Sequence, residues 1–405
     1  MKEEFSNEEL FDGNDEIISS HFNYLDKPEF KENKERFIIS KGEWLGRELE
    51  QFKVSEDNIG RYEEGLAKLL LVGSEDFHIK EQYPDLYNRQ FYSYKSLRHY
   101  YSPTELLALK ERFSMTNNKE HFLDQEITER LAWEENRIQE LVDKPETRAL
   151  VARHHQVARE VLVEFGVEPP SEQFKVTFLG PLNLDYYDFV VSKEVSAGGP
   201  SHTAGVYNFR LHNVMIGVND LTTTNTLERN NLLSHELMHA LSLHKVIKDD
   251  PKIDPLYWES CLIGKMGVAS QNYMRGDKHI SLKALNESIT EILSRMVELR
   301  LGKKPPALAR GPYGKVNEVT VEIINAINDL PLDPTSEECL ANLLDNKDTF
   351  RPLVEANFTQ HGLLHLNRLM TEKIGPGVLA TVDKLGFLGS KTIDYIRQTK
   401  KAKKS

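Results

Sequence analysis

The stretch LLSHELMHALSLH, Leu232–His244, decides how the rest of the chain is read. It carries His235, Glu236 and His239 in the order His, Glu, two apolar residues, His. Residues four apart on an α-helix share one face, so His235 and His239 can aim their imidazoles at one ion while Glu236 is turned to the side. Leu232, Leu233, Leu237, Ala240 and Leu241 make the segment apolar and predict a buried helix. Two imidazoles in such a core need polar partners or a metal. Zinc suits them: a catalytic zinc takes three protein ligands and keeps one position for water, whose pKa falls toward ~7. Glu236 is then placed to accept the proton of that water and pass it to a leaving amine.

Upstream, VYNFR and NVMIGVND read as two strands joined by a short turn around His212 and Asn213. Before them KVTFLG and YYDFVVS read as two further short strands, β-branched or aromatic and separated by Pro and Asn. Residues 1 to about 145 are charged and carry helical periodicity, as in EDNIGRYEEGLAKLLL and NKEHFLDQEITERLAWEENRIQELV. The aromatic-rich YPDLYNRQFYSYKSLRHYY interrupts them as a loop, whose expected role is packing helices together. TRALVARHHQVAREVLVEFG is a helix leading into the strands, and from Ser281 onward the chain is helical again. Pro305, Pro306, Gly311 and Pro312 break LKALNESITEILSRMVELRL from GKVNEVTVEIINAIN. The expected fold is therefore α+β and predominantly helical, in three parts: a helical extension over 1–145, a core over 146–310 and a helical lobe over 311–405.

A third ligand must come from elsewhere in the chain. His244 lies one position short of the third histidine in the metzincin pattern, which would fall at Lys245. Downstream, ALNESITEIL offers Asn286, Glu287 and, one turn later, Glu291. Here the chain resembles the gluzincin metallopeptidases, whose HExxH is followed by a helix beginning N-E-x-x-[ST]-[DE]. The matching residues are His235, Glu236 and His239, then Asn286, Glu287, Thr290 and Glu291. The resemblance implies a zincin-like core, a small mixed sheet with an edge strand beside the HExxH helix. It makes Glu287 the third zinc ligand, and Glu291, with Asn286 beside it, the support of the ligands from behind, Glu291 through the far ring nitrogen of His235. AGVYNFRLHNVMIGVND is similar to the edge-strand element of bacterial zincin-like proteins, where an extended peptide adds to the strand. Val206, Tyr207 and Asn208 are the implied substrate-binding positions.

Such enzymes usually carry a His or Tyr that bonds the oxyanion. Tyr313 in GPYGK is the first candidate here and Tyr273 in QNYMRG the second. The long gap between His239 and Glu287 is expected to form a lid or hairpin. His361 and His365 are also four apart but lack a supporting carboxylate pattern, and the adjacent His154 and His155 diverge by about 100° on a helix. His202 and His212 flank the presumed edge hairpin and are read as exposed.

Lys plus Arg number 51 against 63 Asp plus Glu, a net charge of −12, which argues against nucleic acid or anionic membrane as partner. The basic end RQTKKAKKS is read as a solvated terminus. Two cysteines, Cys261 and Cys339, make neither a disulfide framework nor a CxxC zinc site. An acidic start without an apolar leader leads to a cytoplasmic expectation. The expected activity is zinc-dependent hydrolysis of a peptide or protein, with one Zn2+ ion and with Glu236 as base. Two rivals stand beside it: a zinc-stabilised interaction protein with a vestigial site, and an effector protease with one dedicated target. The N-terminal extension is read as a possible surface for a protein partner.

Overall fold

The computed structural model describes residues 28–52, 56–72, 88–169, 174–192, 199–200, 205–208, 213–218, 232–242, 244–248, 263–266, 269–272, 279–311, 313–359, 361–385 and 389–404. Helical spacing of apolar residues organises its first part. Helix α1 (Pro28–Gln51) buries Phe37, Trp44, Leu45 and Leu49. The apolar stripe it meets belongs to a later helix, Lys119–Val142, and consists of Leu123, Ile127 and Leu131. Contact is close because Gly46 has no Cβ, which would stand 2.8 Å from the Leu123 side chain. Between these two lie α2 (Glu56–Val72), α3 (Arg89–Leu97) and α4 (Pro103–Met115), so Lys119–Val142 is α5. The expected aromatic loop is in part helix α3, and its Phe91, Tyr94, Tyr100 and Tyr101 are buried between helices as expected.

After α6 (Pro145–Glu164) comes β1 (Lys175–Leu179), as the sequence predicts. YYDFVVS is not a strand: it lies within helix α7, Pro181–Ser192. Two causes override its β-forming composition, one local and one tertiary. Pro181 presets the first helical φ. Glu134 of α5 accepts hydrogen bonds from the amides of Leu182 and Asn183, satisfying the helix start. Leu182, Leu184, Tyr186, Tyr187 and Val190 are all buried, so no polar face marks the helical period.

Strands β2 (Gly205–Asn208) and β3 (Asn213–Gly217) form the expected antiparallel pair, with Val206 opposite Met215. Strand β1 runs parallel to β3, giving the order β1-β3-β2 and placing β2 at the edge. The sheet separates two cores by strict alternation. Val176, Phe178, Val214 and Ile216 join the core shared with α6 and the C-terminal helices. Leu179 and Met215 join the one built by the N-terminal helices and α7.

The helix of the opening motif, α8 (Leu232–Leu241), follows on the first of these cores. The lid or hairpin expected after it contains an antiparallel meander of β4 (His244–Lys248), β5 (Ile263–Met266), β6 (Ala269–Asn272) and β7 (His279–Ser281). It leads into α9 (Lys283–Arg300) and α10 (Gly314–Asn328). Among the described residues five more helices follow: α11 (Glu338–Asp345), α12 (Lys347–Phe358), α13 (Gly362–Lys373), α14 (Val378–Leu385) and α15 (Gly389–Lys404). The architecture is α+β and predominantly helical. Among the described residues no helix is long and apolar enough to cross a membrane.

Candidate metal centre

Helix α8 is buried from Leu233 to Leu241. Its apolar side, including Leu233, Leu237 and Leu241, fills the core and leaves His235 and His239 one turn apart facing α9. Helix α9 crosses α8 with Glu287, Thr290 and Glu291 turned toward the two imidazoles. The Nε2 atoms of His235 and His239 are 3.1 Å apart, and Glu287 Oε2 lies 3.4 Å from the first and 3.3 Å from the second. Bonds of about 2.05 Å to a tetrahedral zinc would set ligand atoms about 3.3 Å apart, so this triangle has the size of one face of such a site. Among the described residues these three form the group of His, Cys, Asp or Glu side chains able to hold a metal ion.

The far ring nitrogens support the same assignment. His235 Nδ1 lies 3.1 Å from Glu291 Oε2, a partner to which Nδ1 would donate while Nε2 faces the triangle. Thr290 Oγ1 lies 3.5 Å from His239 Nδ1. Burial opposes charge on His235, yet its bonds to Glu287 and Glu291 and the nearby charges of Glu236 and Glu291 push the imidazole up to about 10. Burial likewise opposes ionisation of Glu287, and His239 and His235 overcome it and hold the carboxyl well below the usual range. Both shifts express the attraction between a protonated imidazole and an ionised carboxylate, and a divalent ion would satisfy the same carboxylate.

Glu236 is buried and turned toward β2, where the Tyr207 amide donates to its carboxylate. Gly205 makes this approach possible, since a Cβ there would stand 3.1 Å from Glu236 Cγ and 3.1 Å from Met215 O. Burial pushes Glu236 up, the histidines oppose the shift and Glu287 adds to it. The ring of Tyr313 stacks on that of His235, 5.2 Å between centroids and 8° from parallel. Burial, the charges of Glu287 and Glu236 and a bond to Glu287 push its hydroxyl far up, so it stays protonated.

The structure thus gathers His235, Glu236, His239, Glu287, Glu291 and Tyr313 in one place, with β2 alongside. Tyr207 packs into the core that carries α8 and Val206 against the core of the N-terminal helices, and the Tyr207 amide reaches Glu236. Asn208 closes the strand opposite Asn213. Asn286 is not brought to the ligands: it is fully buried, and neither of its amide atoms has a hydrogen-bond partner among the described residues. His365 pairs with Glu355 on α12, His361 precedes α13, and neither belongs to the site. Tyr273, His202 and His212 lie outside the described residues.

Sequence reading missed the groups that lock the two helices. Ser234 Oγ donates to Glu298 Oε1 at 2.5 Å, and Glu298 is bound in turn by Lys303 at 2.6 Å and faces His154 at 3.5 Å. Arg295 Nε donates to Glu291 Oε1 at 2.7 Å. The only signal was spacing, since Glu287, Glu291, Arg295 and Glu298 recur on one face of α9. Comparison of the chain with protein-family models, curated proteins and solved structures finds no match.

Proposed function

We propose that the protein is a zinc-dependent peptidase of the gluzincin type, with His235, His239 and Glu287 as ligands. One observation carries the reading. Two Nε2 lone pairs and a carboxylate oxygen from separate helices converge at tetrahedral spacing with a buried Glu beside them. Zinc bound there would supply a Lewis acid for the scissile carbonyl and a water of lowered pKa. Glu236 takes up the proton of the attacking water and delivers it to the leaving amine. Glu291 holds His235 in the tautomer that offers Nε2. Tyr313, kept protonated, donates to the oxyanion of the tetrahedral intermediate. Strand β2 lies at the edge of its sheet, and its main-chain groups other than the Tyr207 amide, which bonds Glu236, would receive an extended peptide. A scaffold site would need the three ligands but leaves the burial of Glu236 without a reason.

Cleavage of a fluorogenic peptide library tests this. The zinc-loaded wild type is expected to cut, and Glu236→Gln to keep its zinc while losing about 10²- to 10⁴-fold in kcat. Zinc bound without cleavage of any library peptide would overturn the general peptidase reading in favour of the interaction protein or the protease with one dedicated target.

A further inference from the structure

Arg295 is among the largest fully buried side chains, 2% exposed in the middle of α9. A guanidinium is always charged, so its burial must be matched by partners. Nε donates to Glu291 Oε1 at 2.7 Å, on the carboxylate whose other oxygen faces His235 Nδ1. Nη1 donates to the carbonyls of Pro306 and Ala307 at 3.0 and 2.8 Å, and Nη2 to that of Arg310 at 2.7 Å. Those carbonyls belong to the α9–α10 connection, which delivers Tyr313 onto the ring of His235.

The path closes on itself: His235, Glu291, Arg295, the 306–310 backbone, Tyr313, and His235 again. A second tie runs parallel to it. Ser288 Oγ, next to Glu287, donates to Asn317 Oδ1 at 2.9 Å, while Asn317 Nδ2 donates to Leu308 O at 2.9 Å. Gly311, with φ +91°, completes the fit, since a Cβ there would stand 3.2 Å from Arg295 Nη2.

We propose that Arg295 is a positioning residue that couples the metal ligands to Tyr313, holding His235 through Glu291 and the Tyr313 loop through three carbonyls. The proposal rests on reading His235, His239 and Glu287 as a metal site. Lysine at this position keeps the charge but lacks the planar fork, so it cannot serve Glu291 and three carbonyls together.

The test uses the full chain and Zn2+ itself. Zinc affinity is read by competition with a chromophoric chelator, and amide hydrogen exchange over 306–314 reads the loop, at a temperature where circular dichroism shows each variant folded. For Arg295→Lys the expected result is 10- to 100-fold weaker zinc binding together with faster exchange at Ala309 and Gly314. Their amides bond to Pro334 O and Gly311 O. Glu291→Gln should weaken zinc while leaving the loop protected. Gly311→Ala, on a residue that touches no ligand, should weaken zinc binding as well, and it carries the test if Arg295→Lys does not fold. Zinc affinity at the wild-type level in Gly311→Ala and in folded Arg295→Lys would overturn the coupling, as would unchanged loop exchange in Arg295→Lys. A wild type that takes up no zinc would sink the metal reading instead, and the exchange arm, which needs no metal, would still show whether Arg295 holds the loop.

Discussion

At the scale of single residues, the site is governed by which nitrogen of each histidine is free. Glu291 faces Nδ1 of His235, which would leave Nε2 for a metal ion. Glu291→Gln keeps an acceptor there but removes the charge, and zinc affinity is expected to fall 10- to 100-fold, read by chelator competition. Tyr313 acts differently. Tyr313→Phe keeps the ring stacked on His235 and deletes only the hydroxyl, so zinc content should be unchanged while kcat drops about 10²- to 10³-fold on any peptide the wild type cuts. Equal kcat for the two would assign oxyanion stabilisation elsewhere.

At the scale of elements, the buried cap on α7 makes a pH prediction. Glu134 is fully buried, accepts from Leu182 N, Asn183 N and Asn183 Nδ2, and has Arg130 at 3.9 Å with Asp185 nearby. Burial, opposed by the amides and Arg130 and aided by Asp185, pushes its pKa from 4.5 to about 7. A raised folded-state pKa means the native protein holds this proton more tightly than the unfolded chain. The stabilisation is full below pH 4.5 and is lost as pH rises through about 7. Glu134→Gln cannot titrate, so its stability relative to wild type should improve by up to about 3 kcal/mol across that window, measured by urea unfolding. A pH-independent difference would show that Glu134 titrates normally.

The same element shows what sequence pattern can and cannot convey. The α8 motif, the β2–β3 pair and the α9 helix were readable because their signals are local: a four-residue spacing, two-residue alternation and long apolar periodicity. Helix α7 was misread because its evidence is not local. The cap comes from Glu134, far back in the chain, and full burial erases the amphipathic stripe. Arg295 was invisible for a related reason. On α9 it continues an acidic face that looks like ordinary i,i+4 surface pairing, and only the tertiary fold puts that face in the core.

At the scale of the whole molecule, the N-terminal helices share a core with the sheet that borders the site. Lys41 of α1 marks the junction. Its ammonium is fully buried, pairs with Asp185 of α7 at 2.5 Å, and donates to Tyr100 at 2.8 Å and to Gly199 O at 2.7 Å. Burial pulls the Lys41 pKa down, and Asp185 opposes that shift. Lys41→Met would strand Asp185 as a buried charge, with an expected loss of about 3–5 kcal/mol in denaturant unfolding. Replacing both residues by apolar ones should recover much of that loss; equal losses for the single and double variants would mean that the pair contributes shape rather than charge balance.

Metal content by elemental analysis of wild type, Glu236→Gln and Glu287→Ala, purified in parallel, tests the three-residue ligand set. About one zinc per chain is expected in wild type and in Glu236→Gln, with loss of the metal in Glu287→Ala. A wild type without zinc, or a Glu287→Ala variant that retains it in full, would contradict the assignment.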